Sequence, residues 1–193
     1  MDPREFDRRV IDNIDHIVAA VTPAHLALPS PCTDWSLGDL LRHMVGHHRG
    51  FTAAALGEPT DPEVWDGATL GDSPAGTYRE AAQGLRTALD TPELLSRRME
   101  VFGFGMFSAG DALRMHAVDF LGHGWDVARS IGVDDRLDDD LCLHALELGS
   151  KWPDVPAIWG PKGPFRERVA VAADAPPYQR LMGFLGRDPS WSA

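Results

Sequence analysis

DALRMHAVDFLGHGWDVARSIG, residues 111–132, decides the fold class. At about 100° per residue, Leu113, Met115, Val118, Phe120, Leu121, Trp125, Val127 and Ile131 cover most of a helical circumference. That distribution predicts a helix buried among other helices rather than one lying on a surface. Ser108, three residues before Asp111, supplies an N-cap, and Gly132 supplies a stop.

A buried helix needs amphipathic partners, and the flanking sequence offers them. Phe6, Val10, Ile14, Ile17, Val18 and Val21 recur at helical spacing, predicting a helix from about Glu5 to Val21. Ser36 and Asp39 have the spacing of a capping box, and the run from Leu37 to Leu56 ends at Gly57. Ser73-Pro74 opens a third helix ending near Leu89. Its apolar face (Tyr78, Ala81, Ala82, Leu85, Leu89) is thin, so part of it is expected to face solvent. Asp138, Asp139 and Asp140 suit the first turn of a helix reaching Leu148. Between these, residues 58–72 read as a loop, and residues 91–107 as a short strand or a glycine-broken loop. The tail from Lys151 reads as mostly irregular, with a candidate strand in PFRERVAVAADAPP and a helical turn or two in YQRLMGFLG. The expectation is one all-α domain over residues 1–193: four main helices, a weaker fifth, and a long connection between the second and fourth.

Composition narrows the function. The 193 residues carry 18 lysines and arginines against 29 aspartates and glutamates, a net charge of −11. Such a surface repels phosphate backbones, so nucleic acid is not an expected partner. Two cysteines are too few for a disulfide framework. The N-terminus lacks an apolar signal core, and no stretch is apolar enough to span a membrane. A cytoplasmic protein is expected.

Eight histidines carry the chemistry. Three lie in His43-Met44-Val45-Gly46-His47-His48, and His116 and His123 flank Asp119. Taking Asp119 as zero, His123 falls at roughly 40° and His116 at roughly 60°, one narrow stripe. Residues four apart point the same way, so Asp119 and His123 can offer a carboxylate oxygen and an imidazole nitrogen to one metal ion. A third ligand from the second helix would leave a position open for water or substrate. Spacing does not settle that ligand. His48 falls near the middle of the apolar arc, His47 near its edge and His43 outside it, so spacing ranks His48 first.

Three segments, in order, resemble the actinobacterial branch of the DinB/YfiT-like metalloproteins, which is related to mycothiol-dependent maleylpyruvate isomerase. They are PSPCTDWSLGDLLRHMVGH, DFLGHGWDVARSIG and DAPPYQRLMGFLGRDP. The resemblance implies a four-helix bundle with a long crossover and a metal held by His43, Asp119 and His123. Asp119 stands where the relatives often carry Glu or His; His116, a turn earlier, is an alternative. The resemblance further implies a divalent metal (zinc first, nickel or iron next) and a low-molecular-weight thiol such as mycothiol. It suggests a thiol transferase or isomerase acting on a small electrophile. The alternatives are a non-catalytic metal-binding or ligand-sensing module and a two-His-one-carboxylate iron enzyme. Arg129, Arg180 or Arg114 would hold a carboxylate of the thiol or substrate. A homodimer stays open.

Other residues have plainer readings. Cys32 fits a small buried residue in a tight turn better than a nucleophile, and Cys142 fits a core position. Trp35 and Trp125 either line a pocket or fill the core. Asp126, three after His123, either orients the imidazole or sits on the surface.

Overall fold

The computed structural model describes residues 1–32, 34–161 and 163–193. It is mostly helical, with one small sheet. Helix α1 (Pro3–Val18) starts at Asp2, whose carboxylate accepts from the backbone N–H groups of Arg4 and Glu5. It stops three residues before the expected Val21 because the last apolar positions continue through tightened turns: Ala20 N–H bonds the Ile17 carbonyl and Val21 N–H the Val18 carbonyl. Helix α2 (Leu37–Leu56) begins with the reciprocal Ser36–Asp39 capping box and ends at Gly57 with φ 76°.

The loop expected over residues 58–72 needs correcting. It contains helix α3 (Pro62–Asp66), capped by the Asp61 carboxylate on Glu63 N–H. Trp65 anchors it, fully buried against Gly46 and Gly50 of α2. Helix α4 (Pro74–Ala88) buries Tyr78, Ala81, Ala82 and Leu85 and leaves its other side exposed, as its thin apolar face requires.

Residues 91–107 resolve in favour of a strand. β1 (Arg98–Val101) pairs antiparallel with β2 (Gly105–Ser108), from Arg98 opposite Ser108 to Val101 opposite Gly105. The all-α expectation is therefore corrected to a mainly helical fold with a hairpin. Gly103 and Gly105, at φ 77° and 95°, take the left-handed conformations the tight connection demands.

Helix α5 (Ala109–Ile131) matches the quoted stretch, capped by Ser108 on Asp111 N–H and stopped by Gly132. Sixteen of its residues are buried, which confirms its central place. Helices α6 (Asp139–Gly149) and α7 (Pro177–Phe184) follow. Among the described residues PFRERVAVAADAPP forms no strand; Phe165 makes an isolated bridge with Trp159, and Val169 N–H bonds the Gly183 carbonyl. Helix α1 packs mainly on α5 and α2 mainly on α4, while α2 meets α5 and α1 meets α4. This arrangement faces α2 toward the Asp119–His123 stripe. Among the described residues, no helix is long and apolar enough to cross a membrane.

Candidate metal centre

The site joins two helices through pairs of residues four apart. On α5, Asp119 and His123 lie one turn apart, with His123 Nε2 3.2 Å from Asp119 Oδ2. On α2, His43 and His47 repeat that spacing, their ring centroids 3.9 Å apart. His43 Nε2 reaches the same Asp119 Oδ2 at 3.9 Å, and its ring centroid lies 5.0 Å from that of His123. One donor atom each from His43, His47 and Asp119 lie within 4.8 Å of one another. Ligand atoms around a tetrahedral zinc sit about 3.3 Å apart, given bonds of about 2.0 Å. Two imidazoles and a carboxylate within this reach, with His123 on the same carboxylate, are donors of the kind a divalent transition metal takes.

The environment prepares these donors. Burial alone would raise Asp119, but the charge and hydrogen bonds of His123 and His43 hold it well below the usual carboxylate range. Burial pushes His43 down and His47 well down, so both are neutral imidazoles with lone pairs to offer. His43 and Asp119 keep about a fifth of their side-chain surface, so the centre is reachable from solvent. Trp35, still 37% exposed, tilts against His43 with ring centroids 4.9 Å apart. It is a wall of the site and not a core residue.

Behind His123 lies a second layer. His123 Nδ1 faces Asp126 Oδ2 at 3.2 Å. The Cys32 thiol donates to the same oxygen at 3.1 Å, and Arg187 grips both carboxylate oxygens, Nε to Oδ1 at 3.2 Å and Nη2 to Oδ2 at 2.8 Å. Burial would raise Asp126, but Arg187 and His123 bring it down to about 2. Cys32, His123 and Asp126 form a second grouping of metal-ligand type. Here the guanidinium already neutralises the carboxylate. Burial and the Asp126 charge push the Cys32 thiol up, so it is a hydrogen-bond donor and not a nucleophile. This layer orients His123, so Asp126 takes the orienting reading.

The structure thus brings together His43, Asp119 and His123, the set implied by the resemblance, and adds His47. His48, ranked first on spacing, is fully buried in the core, ringed by Tyr78, Phe120 and His116. His116 does not replace Asp119; its Nδ1 bonds Asp7 of α1 in a fully buried pair. Arg129 bonds Asp135 and the Trp191 carbonyl, Arg180 is exposed on α7, and Arg114 pairs with Asp111. None of the three is joined to the cluster. Trp125 and Cys142 are core.

His48 gives a test of this assignment. Neither ring nitrogen has a partner among the described residues, and burial pushes its pKa well below 6.5. Unfolded, it takes up a proton near pH 6.5; folded, it stays neutral. The unfolded chain then binds more protons, so this group costs stability as pH falls below about 6.5. His48→Leu is expected to flatten the fall in melting temperature between pH 7 and 5.5, and to gain about 1 kcal/mol at neutral pH by removing an unpaired buried group. Equal acid slopes in the two proteins would refute it.

A family model described as Mycothiol maleylpyruvate isomerase N-terminal domain matches residues 8–128, which include α2 and all but the last three residues of α5. The chain belongs to this family. Family membership agrees with the resemblance read from the three segments. Two similar proteins from two strains of Mycobacterium tuberculosis, "Uncharacterized protein MT0763" and "Uncharacterized protein Rv0738", are each 26% identical over 190 residues. The alignments cover 97% of this chain and 98% of each relative. No solved structure matches the chain significantly.

Proposed function

We propose that this family member binds one divalent metal, zinc first, through His43, Asp119 and His123. Its role would be thiol transfer to, or isomerisation of, a small electrophile. The observation that carries the reading is the meeting of His43 from α2 and His123 from α5 on one Asp119 carboxylate oxygen, with a His47 donor atom within 4.8 Å of those of His43 and Asp119. We read α1, α2, α4 and α5 as the DinB/YfiT-like bundle that holds them. A bound divalent cation lowers the pKa of a thiol and holds it as thiolate.

The chain's own residues do the rest. With three protein ligands, a bound ion would keep a position for the thiol. His47, neutral and beside His43, can accept a hydrogen bond from an incoming thiol. Trp35 offers a flat apolar wall at the open side, against which the substrate can rest. The assignment of Arg129 and Arg180 to an anionic end of the thiol rests on the resemblance alone.

The test is zinc-loaded protein incubated with mycothiol, bacillithiol or glutathione and a panel of electrophiles. Consumption of an electrophile that needs both zinc and one thiol is the expected result. Tight zinc binding without turnover across the panel would replace the enzyme with a metal-dependent binding module. Turnover requiring ferrous iron and oxygen would replace it with an iron enzyme.

A further inference from the structure

We infer that Arg187, outside the family-matched segment, is a positioning residue of the metal centre: the C-terminal segment reaches back and fixes the aim of His123. The inference rests on the metal reading above.

Three independent features of the fold converge on this residue. The first is the chain of contacts. Arg187 holds Asp126 through both carboxylate oxygens, and Asp126 faces His123 Nδ1. Nδ1 faces the Asp126 carboxylate and donates there, so Nε2, which faces Asp119 Oδ2 at 3.2 Å, is the nitrogen turned toward the metal position. The remaining guanidinium nitrogen bonds the Leu185 carbonyl, so each of the three nitrogens of Arg187 is held.

The second is the notch in α5. Gly122 stands between Asp119 and His123, and a Cβ there would lie 3.0 Å from both Cζ and Nη2 of Arg187. The guanidinium lies over that glycine, on the turn of helix that carries the two α5 ligands. The third is the delivery of Arg187 itself. Gly186, at φ 78°, turns the chain off the end of α7, and Arg187 N–H bonds the Met182 carbonyl. A few residues on, the Trp191 carbonyl accepts from Arg129 of α5. The segment is thus fastened to α5 at Asp126 and again at Arg129.

A lock of this kind acts on metal affinity through the ligand it orients. Zinc affinity, read by chelator competition on the full chain, is expected to fall about 10–100-fold in Arg187→Gln. Arg187→Lys keeps the charge but loses the two-pronged grip, so it should recover part of that loss. Gly122→Ala should weaken zinc in the same direction by displacing the guanidinium. Arg187→Gln leaves a buried carboxylate without its guanidinium, so the double variant Asp126→Asn/Arg187→Gln, which removes both charges together, guards against simple misfolding. Cobalt substituted for zinc supplies a second readout, since its visible absorption reports ligand geometry. A shifted spectrum in the folded double variant supports the lock. Wild-type zinc affinity and an unchanged cobalt spectrum in the folded variants would overturn it while leaving the metal reading intact. Failure of the wild-type chain to bind zinc or cobalt at all would overturn both.

Discussion

Zinc affinity is expected to fall by well over 100-fold when His123 is replaced by alanine. The basis is the double use of this one ring. Its Nε2 faces Asp119 Oδ2 at 3.2 Å and its Nδ1 faces Asp126 Oδ2 at 3.2 Å. Removing an outer partner alone costs roughly 10–100-fold, so losing the ligand and its link to Asp126 together exceeds that range. Asp119 also loses the group that contributes most to holding its carboxylate ionised. His43→Ala should cost less. Its neighbour His47 lies at a ring separation of 3.9 Å and has a donor atom within the same 4.8 Å cluster, so it can take over part of the coordination. His48→Ala should leave zinc affinity unchanged, because that ring is in the core. Elemental analysis and a chelator titration of the three variants decide the matter. Stoichiometric zinc retained by His123→Ala would remove His123 from the site.

How much of this was legible in the sequence follows from how local each signal is. The ends of α2 and α5 could be read because a cap is a contact between residues three apart: Ser36 with Asp39, and Ser108 with Asp111. The Asp119/His123 pair was legible for the same reason. Spacing did not give the α2 ligand, because an apolar arc shows which side of a helix is buried but not whether a histidine there meets a metal or a tyrosine; only the resemblance pointed to His43. His48 satisfied the arc and went to the core. The usable signal was the four-residue spacing of His43 and His47, the same as on α5. Helix α3 is five residues long and has no period to detect; Asp61-Pro62 was its only local mark. Asp7 left no mark, and Arg187, though inside the third segment of the resemblance, gave no sign of its partner. Their partners, His116 and Asp126, are 109 and 61 residues away, and only the fold brings them together.

The largest effect on stability is expected at a glycine rather than at the metal. Gly46 lies in the interior of α2, where alanine normally gains up to about 1 kcal/mol. Here a Cβ would sit 1.8 Å from the Trp65 carbonyl oxygen and 2.7 Å from its carbon. Those are backbone atoms of α3, so no side-chain rotation relieves the clash. Either α3 lifts away or α2 bends. Lifting α3 uncovers Trp65, which also rests on Gly50 and stacks on Phe102 of the hairpin connection at 5.9 Å. Emptying a buried tryptophan site costs about 3–5 kcal/mol, several times the helical gain, so the clash decides the sign. For a chain of this length that is a drop in melting temperature of about 10 °C. Gly84 of α4 provides the contrast. Its Cβ would meet Thr52 side-chain atoms at 3.7 and 3.9 Å, ordinary contact, so Gly84→Ala should raise the melting temperature by a few degrees. Because Trp65 also sets the edge of His47, with ring centroids 5.4 Å apart, Gly46→Ala should disturb the metal centre as well as the fold. Thermal melts of the two variants beside wild type test this directly. Similar shifts in both would mean that α3 does not rest on α2 as closely as Gly46 and Gly50 require.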